Sequence, residues 1–187
     1  MCNFKSGIVV KDEKVKGGFR LLMSPWTESH SELEIIYKLR DGARVNYAKV
    51  EFTPADMSEA YKPETYKLRI DEDRTPDWFS DEIRELVTEK MRAYIASIIV
   101  SGDVELLIGG QFIVAPKAKI QCAKAMVINA VCGGTISAVC GGTIRAVCGG
   151  TISEVLGGTI SEVRKHFTGL IGKIHKDAKV TDNRKKS

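Results

Sequence analysis

From Gly109 onward the apolar residues of this chain keep a beat of eight. In octads counted from Gly109, the fourth position reads Phe112, Ile120, Ile128, Ile136, Ile144, Ile152 and Ile160. The seventh reads Ala115, Ala123, Val131, Val139, Val147, Val155 and Val163. The last four octads are near copies, GGTISAV, GGTIRAV and twice GGTISEV, each closed by one variable residue. Positions three and five carry Gln111, Lys119, Gln121, Asn129 and Arg145, so both are predicted to face solvent. Inward positions spaced in this way fit neither a helix nor an unbroken strand. They fit short strands separated by corners, with the glycine pairs supplying the dihedrals that a corner needs. A repeat of this length built from strands and corners predicts a β-solenoid.

Closure sets the coil. Eight extended residues reach about 26–29 Å, too little to enclose side chains from facing sheets about 10 Å apart. Two octads per coil are expected. The seven octads at 109–164 then make about three and a half coils of roughly 4.8 Å each. Both open ends need cover. Residues 165–187 are read as a capping segment and basic tail, with Phe167, Leu170, Ile171 and Ile174 at helical spacing. Self-association through the open faces is the other way to bury them.

The first 108 residues change period. Residues 2–10 and 66–70 read as strands, and 47–53 alternates like a half-buried one. Ser29-His30-Ser31-Glu32 is a capping box, followed by Leu33, Ile35, Ile36, Tyr37 and Leu39 on a short helix. Ile83, Leu86, Val87, Met91, Tyr94, Ile95 and Ile98 stripe a longer helix over about 80–97. Residues 98–108 lead into the repeats. The expected fold class is therefore a small α+β domain over 1–108, then a short octapeptide-repeat β-solenoid over 109–164 with a C-terminal cap.

Composition adds three points. With 43% hydrophobic and 28% charged residues, the chain belongs to the globular class. No apolar run is long enough for a membrane helix, and the N-terminus lacks the layout of a secretion signal. The five cysteines are expected to be reduced thiols. The net charge of +4 hides an asymmetry. After Ile108 there are 12 basic residues against four acidic ones, or +8, which leaves the first part at −4. That basic excess argues against mimicry of DNA, and no nucleic-acid-binding motif is present.

Candidate chemistry is sparse. Cys2, once Met1 is removed, would carry a free amine beside its thiol, as in N-terminal-nucleophile hydrolases and amidotransferases, with His30 a conceivable helper. Asn3 stands where a glycine is common in such enzymes. His30 in a capping box is otherwise a helix-start residue. Cys132, Cys140 and Cys148 recur at position eight without a fourth ligand for zinc. The acids Asp71, Glu72, Asp73, Asp77, Asp81 and Glu82 could hold a divalent ion, but also read as a solvated loop and an acidic helix start. Trp26 and Trp78 read as core or interface anchors. No cofactor is expected.

Met1-Cys2-Asn3-Phe4, Ser29-His30-Ser31-Glu32, Val50-Glu51-Phe52-Thr53-Pro54 and Thr75-Pro76-Asp77-Trp78-Phe79, followed by GGTI octads, resemble a group of uncharacterised bacteriophage and prophage accessory proteins. The resemblance spans most of the chain. It implies a protein made in the bacterial host cytoplasm and carries over no functional residue. The expected function is non-enzymatic: recognition, and inhibition, of a host or anti-phage defence protein. The surface expected to do this is formed by Thr135, Ser137, Thr143, Arg145, Thr151, Ser153, Thr159 and Ser161. The alternatives are sequestration of a nucleotide signal by glycine-corner amides with Lys117, Lys119, Lys124 or Arg145, an enzyme using Cys2, and a virion component.

Overall fold

The computed structural model describes residues 4–39, 46–72, 75–124, 127–164, 167 and 169–183. The chain divides into two compact units, one of 1–55 with 63–95 and one of 56–62 with 96–187. The segment Asp56–Lys62 thus groups with the repeats, although it lies far upstream of them in sequence.

The first unit is built on a four-stranded antiparallel sheet of order β2-β1-β3-β4. Its strands are β1 (Lys5–Lys11), β2 (Phe19–Leu22), β3 (Tyr47–Pro54) and β4 (Tyr66–Ile70). The helices are α1 (His30–Ile36) and α2 (Asp81–Ser97). Strand β2 was not anticipated; four residues between turns give too short a run for alternation to register. Leu33 of α1 packs with Ile8 and Tyr47. Tyr66 stacks on Phe52 at 5.1 Å and meets Phe4 edge-on at 5.3 Å. Ser29 caps α1 by accepting from the Glu32 amide, and Ser80 does the same for Ile83 ahead of α2. In α2 the stripe holds, with Val87, Met91 and Ile95 buried. In α1 only part of it does, for Ile35 and Ile36 face outward.

The second unit is a β-solenoid of about five turns over residues 99–182. Its strands are β5 (Ile99–Val100), β6 (Asp103–Ile108), β7 (Gln111–Val114), β8 (Lys119–Lys124), β9 (Val127–Val139), β10 (Thr143–Val155), β11 (Gly158–Val163), β12 (Leu170–Ile174) and β13 (Ala178–Asp182). Every pairing is parallel. Two ladders result. In the first, Ile120 lies beside Ile136 and Ile136 beside Ile152. In the second, Ile128 lies beside Ile144 and Ile144 beside Ile160. All six isoleucines share one core cluster with Val131, Val139, Val147, Val155 and Val163. Each is at most 2% exposed, so the inward reading of positions four and seven holds. Full burial of each such side chain is worth roughly 1.5–3 kcal/mol.

Corners fall where the glycines are. Gly134, Gly142, Gly150 and Gly158, the second of each pair, have φ between 73° and 86°. Gly134 has a second reason to be glycine: a Cβ there would sit 2.3 Å from the Ala118 carbonyl oxygen of the adjoining turn.

Three expectations need correction. The solenoid begins ahead of the octads and runs past them, because 99–108 forms a rung rather than a lead-in and the chain keeps pairing after Val163. Leu170–Ile174 is a strand on β10, not a helical cap; its apolar residues fit a ladder as well as a helix, and the edge of β10 offers backbone partners. Phe167 and Ile171 do join the core. Finally, Gln111 and Asn129 are buried, 2% and 1% exposed, although their octad positions point outward. Among the early rungs, the outward positions on the second ladder are enclosed while Lys119 and Gln121 on the first are exposed, and tolerance averaged over all copies hides that. The Asn129 amide finds no hydrogen-bond partner among the described residues.

Replacing Gly134 by alanine should destabilise the protein by well over the roughly 1 kcal/mol typical of a point mutant. Gly102→Ala, where an added Cβ meets nothing within 4 Å, should be near neutral. Urea unfolding midpoints of the two variants check this.

Candidate functional site

The octad residues expected to form one surface fall on two. Thr135, Ser137, Thr151 and Ser153 lie on the first ladder. Thr143, Arg145, Thr159 and Ser161 lie on the second. Because the two ladders enclose one core, their outer faces point away from each other. Ser137, Ser153 and Ser161 are exposed, and the threonines and Arg145 half-buried. Lys119 and Lys124 lie at the two ends of β8 on the first ladder, and Arg145 lies on the second. Asp103 is the register neighbour of Lys119. A shallow groove of about 490 Å³ on this face is lined by Asp103, Glu105, Lys119, Gln121, Thr135 and Ser137.

The corner cysteines separate into two environments. Cys132 Sγ donates to the Met57 carbonyl at 3.4 Å, where the turn Met57–Glu59 lies against β9. Burial pushes the Cys132 thiol up to about 12, with Cys148 adding to it. Burial likewise pushes Cys148 up to about 11. Cys140 sits elsewhere. Its Sγ lies 2.9 Å from that of Cys122, and both are free thiols. The hydrogen bond with Cys122 holds the Cys140 thiol above its ordinary range, while Lys124 acts against this. Cys122 was not singled out from sequence, because it occupies position six rather than position eight. Its pairing follows only once Ala123 and Val139 are register neighbours and Cys140 is the next residue on.

In the first unit His30 is buried and both its ring nitrogens are engaged. Nε2 lies 3.1 Å from the Val50 carbonyl oxygen and Nδ1 3.1 Å from the Asp71 carboxylate. A base needs a free lone pair; this ring instead ties α1 to β3 and to the residue after β4. Cys2 and Asp73 lie outside the described residues. Asp81 and Glu82 sit in the first turn of α2, as a helix start favours. Among the described residues, no three His, Cys, Asp or Glu side chains gather as a metal would require.

Two features escaped the sequence reading. Lys5 is buried, its ammonium bonded to the Ser24 carbonyl at 2.5 Å and the Glu28 carboxylate at 3.2 Å. The other Glu28 oxygen accepts from the Ser6 amide at 2.7 Å. The Lys5 ammonium also lies 4.9 Å from the Tyr94 ring centre, and burial, with Glu28, pushes the Tyr94 phenol up to about 12. This is an enclosed, neutralised cluster. The other feature is apolar and exposed. Trp26 is 71% exposed, Ile35 76% and Ile36 52%. The Tyr37 hydroxyl donates to the Met23 carbonyl and so ties the Trp26 loop to α1. Trp26 is thus not a core residue.

Two outcomes follow. His30→Ala removes the contacts to the Val50 carbonyl and the Asp71 carboxylate and should cost about 1–3 kcal/mol in chemical denaturation. Cys132 and Cys148, with thiols raised in the folded state, contribute stability that is intact below about 9 and lost as pH climbs toward 12. Iodoacetamide at pH 8.5 should therefore alkylate Cys132 and Cys148 slowest of the described thiols, with their labelling accelerating above pH 10. Peptide mapping reads both effects.

Compared with known proteins, the chain matches no family model, no curated protein and no solved structure.

Proposed function

We propose that this chain is a non-enzymatic interaction protein that recognises another protein through its surface. The observation that carries the reading is the exposure of Trp26 and of Ile35 and Ile36 on α1, whose C-cap Tyr37 bonds the segment preceding Trp26. Large apolar side chains left together in water mark docking surfaces, and Trp is enriched among residues that dominate binding energy. The outward rows of Thr and Ser on the solenoid supply a second, flatter surface on a stiff support. The resemblance to phage accessory proteins makes a host or defence protein the partner class and inhibition the mode of action. It makes the bacterial cytoplasm the place.

In this reading a solenoid coil is two octads. The support is the spacing of Ile128, Ile144 and Ile160 along one ladder, with adjacent members sixteen residues apart. Phe167 and the last strands then close the downstream end of the core. Self-association is the second reading, favoured by Leu170 and Ile174 of β12, which are 60% and 48% exposed.

The test is affinity purification from lysate of the bacterial host, with variants. A partner protein should co-purify stoichiometrically with the native chain, and Trp26→Ala with Ile35→Ala should remove it. Glu89→Gln, exposed on α2, should leave it bound. Recovery of no stoichiometric protein counts against the reading. Light scattering on the native chain and on Leu170→Lys tests self-association, which predicts a multimer for the first and a monomer for the second.

A further inference from the structure

We propose that Cys122 and Cys140 are a redox-active pair that closes into an intramolecular disulfide across adjoining turns of the solenoid, with a low-molecular-weight disulfide such as glutathione disulfide as oxidant. Three observations support this. The two sulfurs are 2.9 Å apart, within about 1 Å of the roughly 2.05 Å of a disulfide bond. They sit on neighbouring strands whose register is held by the Ile120–Ile136 and Ala123–Val139 pairs and by the Cys140 amide donating to the Ala123 carbonyl at 2.7 Å. Cys140 lies just past the end of β9, where the chain leaves the ladder for the Gly141-Gly142 corner. The backbone there can close the remaining gap without moving the core row. Both thiols are partly exposed, so the oxidant can reach them.

The step balances as two exchanges. One cysteine thiolate attacks a sulfur of glutathione disulfide, which breaks that S–S bond, forms a protein–glutathione mixed disulfide and expels one glutathione thiolate. The neighbouring cysteine gives up its proton to solvent and attacks the protein sulfur of the mixed disulfide. The second glutathione thiolate leaves, and the S–S bond between Cys122 and Cys140 remains. The two protein thiols lose two electrons and two protons, and the oxidant is reduced to two thiols. The hydrogen bond with Cys122 raises the Cys140 thiol, and the Lys124 ammonium partly offsets this. Cys132 and Cys148 lack this arrangement. Each is half-buried in a corner, and desolvation raises its thiol.

The bond would link the turn carrying β8 to the next one. Cross-links of this kind restrict the unfolded chain and raise thermal stability. The pair would then act as a latch on the rungs that also carry the groove at Lys119, Gln121, Thr135 and Ser137.

The experiment uses the full chain, first reduced and then incubated with glutathione disulfide near pH 8. Intact mass should fall by two hydrogens with no glutathione retained. Digestion should yield one cross-linked peptide joining Cys122 to Cys140, and the melting temperature should rise. Cys122→Ser removes the resolving thiol, so the same treatment should leave one glutathione stably attached at Cys140. Cys140→Ser should trap it at Cys122. Cys132→Ser should oxidise like the native chain. The idea fails if the native chain retains glutathione at either cysteine without forming the cross-link, if neither thiol is modified, or if the cross-link joins a different pair.

Discussion

The second unit depends on one constraint: each inward isoleucine must lie on its own equivalent one turn away. Parallel pairing without offset stacks Ile128, Ile144 and Ile160 in one column and Ile120, Ile136 and Ile152 in the facing one. A slip of one residue would turn both columns to water. Such stacking needs backbones that approach closely at every corner. A Cβ at Gly134, Gly150 or Gly158 would collide with main-chain atoms of the preceding turn. The glycines therefore serve packing as much as conformation, and the apolar columns and the glycine corners support each other.

The same constraint explains where the outer residues go. Outward positions are free of the core, so the repeats can vary there, and they do: glutamine, serine and arginine share position five. Equivalent positions in successive octads alternate between the two ladders. A row that looks continuous in sequence is thus two rows on opposite faces. This is why Thr135 and Thr151 are neighbours while Thr143 stands with Thr159.

Most of the solenoid was legible because its signal is repeated. The burial of positions four and seven and the glycine corners follow from comparing the octads. The ends were less legible because repetition stops there. The rung at 99–108 and the strands Leu170–Ile174 and Ala178–Asp182 carry no GGTI motif, and backbone pairing to an existing edge decides their structure. In the first unit, the capping serines and the α2 stripe were readable because they are local. Lys5 with Glu28 was not, since the partners are far apart in sequence and a lysine after Phe4 reads as an exposed strand residue. The same holds for the Cys122–Cys140 contact, which joins two different octad positions and becomes visible only in register.

The proposed role in recognition is consistent with how the polar groups of the first unit are placed. Catalytic groups need an accessible proton or lone pair in a recess. His30 is instead engaged with Val50 and Asp71, and Lys5 with Ser24 and Glu28. The indole of Trp26 and the side chains of Ile35 and Ile36 are directed at solvent. Leaving those side chains in water forfeits burial worth roughly 1.5–3 kcal/mol for an isoleucine. A small helix such as α1 can tolerate that loss because Leu33 and the Ser29 cap already hold it in place. Under the proposed function, the exposed isoleucines of this anchored helix are where a partner would dock.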